Sequence, residues 1–406
     1  MGNIIIGQSG GPTAAINASL AGAYCEGIKY KDVKVYGMLD GVKGLIEGKY
    51  LDLSEYLKTE KDIEILKQTP SSALGSCRYK LPSVADDKTV YEKLFDLFAE
   101  LDIKHFIYIG GNDSMDTVAK LSAYAKDINS DISFMGVPKT VDNDLAVTDH
   151  TPGFGSAAKY IATIVKEIIC DSSVYDIKSI TVIEIMGRNA GWLTAASALA
   201  KGEDCCGVDM IYLPERSFDL DKCVQKTKEL LEKKNTVVIA VSEALRDKNG
   251  EYVANSGSVH AGLDAFGHKI MSGMGQFLAK HLGESLGVKA RGIEINTPQR
   301  CAAHLLSKQD IDESFDAGAV AVAASKNNRT AEMAVIVRES DNPYSYRIET
   351  ADIKCIANLE KTIPQEWIIN DGTYVSDEFV KYCKPLICGE VASVVKDGLP
   401  IHMKLK

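Results

Sequence analysis

Long apolar runs, strongly basic segments and Cys-x-x-Cys pairs are all absent from this 406-residue sequence. No apolar stretch approaches the roughly 18 residues that a membrane-spanning helix requires, so we expect no membrane association. The net charge is −10, from 46 basic and 56 acidic side chains. Because neutralising nucleic-acid phosphates takes a basic face, this balance argues against nucleic-acid binding. A small phosphorylated substrate needs only a few cations focused in a cleft, so it remains compatible with the net charge.

The cysteine pattern indicates the cellular compartment, and the absence of a linker bears on where the domain boundary lies. The ten cysteines are scattered and form no Cys-x-x-Cys pair, so we expect reduced thiols in a cytoplasmic protein and no structural zinc site. No basic segment leads into a long apolar one near the start, which argues against secretion. No Pro-rich or Ser-rich linker divides the chain, so the domain boundary is inferred, near residues 150–155.

Short apolar segments alternate with amphipathic ones along the chain. The apolar segments cover residues 3–7, 105–109, 132–137, 180–185 and 237–241. Alternation of this kind predicts βα units and a mainly parallel sheet covered by helices on both faces. The length is too great for one ordinary core, so we expect an α/β protein of two domains.

Glycine-bearing segments follow several predicted strands, at the position where open α/β sheets bind ligands. Residues 7–13 (GQSGGPT) place glycines before a helix, whose positive end favours an anion. Taken alone, packing between strand and helix is the commoner reason for such glycines. Residues 110–114 (GGNDS) offer oxygens from Asn112 and Asp113 to a hard cation such as Mg²⁺. A helix start capped by Asp113 or Ser114 is an equal alternative.

Two carboxylates follow the apolar strand that ends near residue 137. Residues 138–144 (PKTVDND) contain Asp142 and Asp144, and a carboxylate beside a substrate hydroxyl accepts its proton during phosphoryl transfer. A polar turn is the alternative. It does not account for the Lys139-Thr140 pair directly before the carboxylates.

Arginines and one glutamate lie at or near further strand ends. Residues 186–191 (MGRNAG) carry Arg188, whose planar fork of donors suits a phosphate. Glu243 ends an apolar strand, where a carboxylate can accept hydrogen bonds from sugar hydroxyls. Arg291 and Arg300 flank residues 292–299. Singly, surface charge explains Arg188 equally well, and surface charges and helix caps are the default explanation for Glu243, Arg291 and Arg300.

Together, these segments resemble the phosphofructokinase family. The motifs GQSGGPTAAIN, ALGSCRYK, IGGNDS, PKTVDND, IMGRNAGW and RGIEINTPQR occur in the family's order over residues 1 to about 320. The resemblance implies two similar three-layer parallel-sheet domains with the active site in the cleft between them. We expect a pyrophosphate-binding domain at residues 1–152 plus about 298–345. A fructose 6-phosphate-binding domain would take residues 153–297 plus about 346–406.

The resemblance also implies roles for individual residues. Asp142 matches the general base that accepts the 1-hydroxyl proton of fructose 6-phosphate, and Arg188 matches the arginine that stabilises the transferring phosphoryl group. The implied substrate contacts are Thr140, Val141, Asp144, Met186, Gly187, Glu243, Arg291, Thr297, Gln299 and Arg300, with Arg291 and Arg300 on the 6-phosphate. The implied pyrophosphate contacts are Gly11, Arg78 and Lys139, and the implied Mg²⁺ ligands are Asn112 and Asp113.

Asp113 and Lys139 indicate the phosphoryl donor. Members of the family that use ATP generally have glycine at both positions, which leaves room for the α-phosphate. A carboxylate about 4 Å from that phosphate is penalised by roughly 4 kcal/mol at an effective dielectric near 20, or about a thousandfold in binding. Lys139 adds a cation where a pyrophosphate leaving group would develop charge. Both residues match the pyrophosphate-dependent branch, which acts reversibly in glycolysis and gluconeogenesis.

The match to the family is not complete. Asn112 stands where many members have Asp, and Thr297 where members often have His or Tyr. In the short bacterial members, residues at the Arg291 position reach a neighbouring subunit, so the resemblance implies a homodimer or homotetramer.

Three other functions fit the sequence less well. An ATP-dependent phosphofructokinase is the nearest alternative. A NAD or lipid kinase with a similar glycine loop should lack the PKTVDND and MGRNAG motifs, and both are present. A non-enzymatic regulatory relative should lack Asp142 or Arg188, and both of these are also present.

Overall fold

The computed structural model describes residues 2–256 and 273–405, which form two compact units. Unit 1 comprises Met1–Ser156, Arg300–Glu360 and Cys388–Lys406, and unit 2 comprises Ala157–Gln299 and Lys361–Ile387. The chain therefore leaves unit 1 and returns to it twice.

Helices alternate with strands along most of the chain, as the apolar pattern predicts. The α-helices are α1 (Ile16–Gly27), α2 (Gly41–Ile46), α3 (Glu60–Gln68), α4 (Thr89–Glu100), α5 (Asn112–Asp127), α6 (Phe154–Ser172), α7 (Trp192–Ala195), α8 (Leu220–Leu231), α9 (Met274–Leu286), α10 (Lys308–Lys326) and α11 (Asp377–Cys383). The β-strands are β1 (Asn3–Gln8), β2 (Val35–Met38), β3 (Tyr50–Asp52), β4 (Ile103–Gly110), β5 (Ser133–Pro138), β6 (Ser179–Ile185), β7 (Met210–Tyr212), β8 (Thr236–Ser242), β9 (Lys289–Glu294), β10 (Glu332–Asp341), β11 (Tyr344–Asp352), β12 (Ile368–Ile369), β13 (Tyr374–Val375), β14 (Val395–Lys396) and β15 (Leu399–Pro400). Within the described parts of the chain, no helix is long and apolar enough to cross a membrane.

Unit 1 is built on a seven-stranded sheet of order β11-β10-β5-β4-β1-β2-β3. The five inner strands are parallel, and the edge strands β11 and β3 pair antiparallel with their neighbours. Helices cover both faces of the inner strands, which is why Ile4, Ile5 and Ile6 of β1 are all fully buried. Gln8 of β1 pairs with Ile109 of β4, and Gly110 of β4 pairs with Pro138 of β5. The strands β1, β4 and β5 therefore end at one edge of the sheet.

Unit 2 is built on a four-stranded parallel sheet of order β7-β8-β6-β9. Ile185 pairs with Ser242, and Glu184 pairs with Glu294, so β6, β8 and β9 also end together. The predicted α/β class with mainly parallel sheets is confirmed.

The compact units do not follow the predicted domain boundaries near the C-terminus. Residues 346–360 and 388–406 were expected in the second domain, but they lie in unit 1. Residues 346–352 belong to β11, which pairs with β10 from Asp341↔Tyr344 to Glu332↔Asp352 and so extends the unit 1 sheet. The two strands form a hairpin, and β10 in turn pairs with β5, which is a contact between distant parts of the chain that the apolar pattern of the sequence does not reveal.

Helices α1 and α10 of unit 1 pack backbone to backbone. A Cβ atom added to Gly22 of α1 would lie 1.9 Å from the Phe315 carbonyl oxygen, and one added to Gly318 of α10 would lie 2.0 Å from the Ser19 carbonyl oxygen. Glycine costs about 0.5–1 kcal/mol in a helix interior relative to alanine. The close approach of the two helices accounts for its presence at both positions.

We predict that Gly318→Ala lowers the free energy of unfolding by about 1–3 kcal/mol, because the new methyl group has to displace backbone on α1. Urea denaturation measures the change. Gly202→Ala is the control, because the nearest neighbour of its added Cβ is Asp204 Oδ1 at 3.4 Å. Equal stability of Gly318→Ala and the control protein would show that the helices separate at no cost.

Candidate active site

The loops after β1, β4 and β5 bring the predicted donor-side residues of unit 1 to one edge of its sheet. Gly11 follows β1, Asp113 lies in the first turn of α5 after β4, and Lys139 follows β5 directly. These three strands are neighbours in the sheet and end together. Parallel α/β sheets hold their ligands at this edge.

Lys139 reaches into the glycine loop after β1. Its side chain is buried, with 2% of the residue exposed, and its Nζ donates a hydrogen bond of 2.6 Å to the Gly11 carbonyl oxygen. A Cβ atom on Gly10 would lie only 3.2 Å from that Nζ, and Gly10 has a φ of +79°, so this position favours glycine twice over. The glycines of this loop therefore make room for a buried amine.

The charge on Lys139 is costly to keep. Burial lowers the pKa of Lys139 to about 8, the charges of Arg300 and Arg78 act in the same direction, and Asp142 and Asp144 oppose them. A buried ammonium group surrounded by further cations is an environment that favours a bound anion.

Arg300 lies next to the same loop. A Cβ atom on Gly11 would lie 3.7 Å from Arg300 Nη1, and Arg300 Nε is buried without a hydrogen-bond partner among the described residues. The sequence assigns Arg300 to the sugar 6-phosphate, whereas the structure places it beside a residue assigned to pyrophosphate.

The loop after β5 gathers carboxylates. The Asp142 amide donates to Thr140 Oγ1 at 3.1 Å, and this hydroxyl lies 3.4 Å from Asp142 Oδ2. Burial, together with the charges of Asp142 and Glu360, raises the pKa of Asp144 to about 7. Sequence reasoning missed Glu360. Its backbone forms an isolated β-bridge with Leu145, which brings it to this loop. No motif marks it, because its position depends on a return of the chain from a distant segment.

Asn112, predicted as a metal ligand, hydrogen-bonds to backbone with both ends of its side chain. Its Oδ1 accepts the amide of Asn358 at 2.7 Å, and its Nδ2 donates to the Leu359 carbonyl oxygen at 2.8 Å. The side chain therefore ties residues 358–359 to the start of α5 and holds them just before Glu360. Asp113, one residue further along the helix, is exposed.

The predicted acceptor-side residues of unit 2 gather at the ends of β6, β8 and β9. The Met186 amide donates to Gln299 Oε1 at 3.2 Å, and the Gly187 amide lies 3.5 Å from Glu243 Oε1. Gly187 has a φ of +150°, and an added Cβ would lie 2.7 Å from the Ala190 carbonyl oxygen, so only glycine fits this turn. Arg188 follows directly and is half-buried.

Two predicted acceptor residues lie elsewhere in unit 2. Arg291 is on the edge strand β9, three residues before its end, with an exposed side chain 3.9 Å from Asp171. Thr297 is exposed in a turn after β9. The structure therefore does not bring the Arg291 side chain to the strand ends where Met186 and Glu243 meet.

Comparison with known proteins identifies the family. The chain matches the phosphofructokinase family over residues 3–303. It is 39% identical to a pyrophosphate–fructose 6-phosphate 1-phosphotransferase from Xanthomonas campestris pv. campestris (strain B100), with 100% of this chain and 96% of that relative covered. A relative of the same name from Halomonas elongata is 38% identical, with 99% and 96% covered. A solved pyrophosphate-dependent phosphofructokinase from Nitrosospira multiformis superposes with a TM-score of 0.89 at 34% identity, with 100% and 96% covered. The chain therefore belongs to the phosphofructokinase family, as its motifs predict.

We predict that Lys139→Met raises the free energy of unfolding at pH 7 by roughly 1–3 kcal/mol, because the buried charge is removed while the volume is kept. The native pKa near 8 lies below that of an unfolded lysine. The native-state cost is therefore present below pH 8 and fades as the pH rises toward 10.5. Urea denaturation at pH 7 and pH 9.5 should show the stability gain shrinking at the higher pH.

The matched control is Lys43→Met, which removes a charge from an exposed lysine. It should change stability by less than about 0.5 kcal/mol at either pH. A Lys139→Met protein less stable than wild type at pH 7 would mean that the buried amine contributes to folding.

Proposed function

We propose that this protein reversibly transfers phosphate from pyrophosphate to the 1-hydroxyl of fructose 6-phosphate, giving fructose 1,6-bisphosphate. The observation that carries the proposal is the buried Lys139 amine against the Gly11 carbonyl oxygen. A buried cation at the carboxyl edge of a parallel sheet suits a compact, highly charged donor.

Unit 1 is the donor side in this proposal. Gly11 and Arg78 contact pyrophosphate, and Arg300 lies close enough to Gly11 to add a third positive group beside Lys139. Lys139 stabilises the negative charge that develops on the leaving phosphate, which is the usual source of catalysis in phosphoryl transfer. Asp113 repels the α-phosphate of a nucleotide and so excludes ATP.

Asp142 is the general base in this proposal. It accepts the proton of the 1-hydroxyl as the phosphoryl group arrives. Thr140 supports it, because its hydroxyl accepts the Asp142 amide and faces the carboxylate. The backbone of Val141 and the Asp144 carboxylate complete this part of the acceptor contact.

Unit 2 is the acceptor side. Two backbone-to-side-chain hydrogen bonds, from Met186 to Gln299 and from Gly187 to Glu243, hold the residues that contact the sugar, with Thr297 as a further contact. Arg188 stabilises the transferring phosphoryl group. Arg291, exposed on an edge strand, would reach the 6-phosphate bound to a second copy, which favours a homodimer or homotetramer. The phosphorylated substrates and the absence of Cys-x-x-Cys pairs favour a cytoplasmic location.

Mg²⁺ fits the acidic side of unit 1 as a partner of pyrophosphate. Among the described residues, no group of three or more His, Cys, Asp and Glu side chains could hold a metal by itself. Burial and the neighbouring charges of Asp142 and Glu360 nevertheless raise the pKa of Asp144, so a cation bound there would relieve the repulsion between these carboxylates. Asp113 and Asp144 would hold it, and Asn112 would not, because both ends of its side chain bind backbone. When bound, Mg²⁺ neutralises phosphate charge during transfer.

We predict that the purified protein with Mg²⁺, fructose 6-phosphate and pyrophosphate forms fructose 1,6-bisphosphate, and that ATP supports at least about a hundredfold lower kcat/KM. Coupled assay of the product with each donor measures this ratio. Asp142→Asn should lower kcat by about 100-fold or more, because the general base is lost.

Asp113→Gly tests the exclusion of ATP in the same assay. It should raise kcat/KM for ATP while Asp116→Asn, on the same helix, leaves the donor ratio unchanged. Equal or faster turnover of the wild type with ATP would rule out pyrophosphate as the preferred donor.

A further inference from the structure

His150 lies buried in unit 1 between two carboxylates. Only 1% of the residue is exposed. Its Nδ1 lies 2.8 Å from Asp149 Oδ2, and its Nε2 lies 2.5 Å from Glu313 Oε2 on α10. An ionised carboxylate can only accept hydrogen bonds, so both ring nitrogens donate when the ring is doubly protonated. The geometry is that of an imidazolium held on both sides.

The surrounding charges support this protonation state. Burial alone lowers the pKa of His150, but the charges of Glu313 and Asp149 outweigh it and raise the pKa to about 9. Burial also disfavours the Asp149 carboxylate, yet its hydrogen bonds to His150 and Arg338 lower the Asp149 pKa to about 2.

Further side chains satisfy the two carboxylates. Arg338 of β10 donates to Asp149 from Nε and Nη2 at 2.9–3.2 Å. On the other side, the Tyr344 hydroxyl of β11 donates to Glu313 Oε1 at 2.5 Å, and Gln309 Nε2 donates to the same oxygen at 3.1 Å. The network therefore joins α10, β10 and β11 to the segment that holds His150.

That segment is tied directly to the loop that carries Asp142. The residue after His150 is Thr151, whose amide donates to Asn143 Oδ1 at 3.1 Å and whose Oγ1 donates to the Thr140 carbonyl oxygen at 2.7 Å. On the other side of His150, the Thr148 hydroxyl donates to the His150 carbonyl oxygen and accepts the Ile336 amide of β10. Thr151 thus bonds residues on both sides of Asp142 and directly follows His150 in the chain.

We propose that His150, clamped as an imidazolium between Asp149 and Glu313, is a positioning residue that holds residues 140–144 in place for phosphoryl transfer. The catalytic part of this inference rests on the function proposed above for Asp142. Misplacement of a reacting group by about 1 Å costs on the order of a hundredfold in rate. A clamp on the backbone around the base therefore has a measurable effect on turnover.

The clamp has a defined pH dependence. Among the described residues, the titratable groups that face His150 or its two carboxylates are Asp149 on its own segment, Glu313 and Asp310 on α10, Arg338 on β10 and the Tyr344 and Tyr346 phenols on β11. Because the folded pKa near 9 lies above the ordinary value of 6.5, the stabilisation is complete below pH 6.5 and is lost as the pH rises through 9. The loop should therefore loosen at alkaline pH.

The test compares Glu313→Gln and His150→Gln with His105→Gln at pH 7. His105 is a partly buried histidine near the amino end of β4 whose Nδ1 lies 2.8 Å from Ser325 Oγ, so the control removes an imidazole from the same unit at the opposite end of the sheet. Amide hydrogen exchange should speed up at least tenfold in residues 140–151 of the two clamp variants and stay unchanged there in His105→Gln. In the assay, kcat should fall by about 10–100-fold with the KM for pyrophosphate changed less than about threefold.

Tyr344→Phe serves if both clamp variants fail to fold, because it removes one donor to Glu313 without unbalancing a charge. It should speed up amide exchange in residues 140–151 and lower kcat by smaller factors than the two clamp variants do. Glu313→Asp should recover part of the exchange protection that Glu313→Gln loses. Unchanged exchange in residues 140–151, or a loss of protection spread evenly over unit 1, would overturn the inference. The exchange result does not need turnover, so a wild type inactive with pyrophosphate would contradict the proposed function alone.

Discussion

The hydrogen bond from Lys139 to the Gly11 carbonyl oxygen is the interaction around which the candidate site of unit 1 is arranged. It joins the loop after β5 to the loop after β1, across the strand that lies between them in the sheet. The glycine loop must lack side chains for the amine to enter, and the amine must tolerate burial beside two arginines. This arrangement is unfavourable for an empty protein and favourable for one that binds a polyanion.

The register of the parallel strands turns distant sequence segments into one site. In unit 1, β1, β4 and β5 end together, and in unit 2 the same holds for β6, β8 and β9. Helix α10 contacts the segment that follows β5 through two buried acidic side chains. Glu313 faces His150, and Asp310 accepts the amides of Gly153 and Ser156 at 2.8 and 2.9 Å. Two buried acids on a helix whose other buried residues are apolar or small therefore support the segment that follows the proposed base.

Local sequence was sufficient for the buried strands β1, β4, β5, β6 and β8 and for the loops that follow them. The apolar segments at 3–7, 105–109 and 132–137 became β1, β4 and β5, and their glycine and Asp motifs lie at the strand ends as predicted. Local reasoning was insufficient wherever a partner comes from a distant segment. The Asn112 side chain has an oxygen that suits Mg²⁺, but it hydrogen-bonds to the backbone of residues 358–359. Glu360 lies in no recognisable motif. Helix α5 likewise begins at Asn112, with Gly111 as its N-cap and no capping side chain.

We expect bound pyrophosphate to stabilise the charge on Lys139. The most direct measurement is the pKa of its amine, followed by NMR of ¹⁵N-lysine-labelled protein and assigned with Lys139→Met, in the absence of donor and with pyrophosphate or ATP. We expect titration near pH 8 without donor, and a shift toward the ordinary lysine value with pyrophosphate but not with ATP. A pKa that pyrophosphate leaves unchanged would contradict the account.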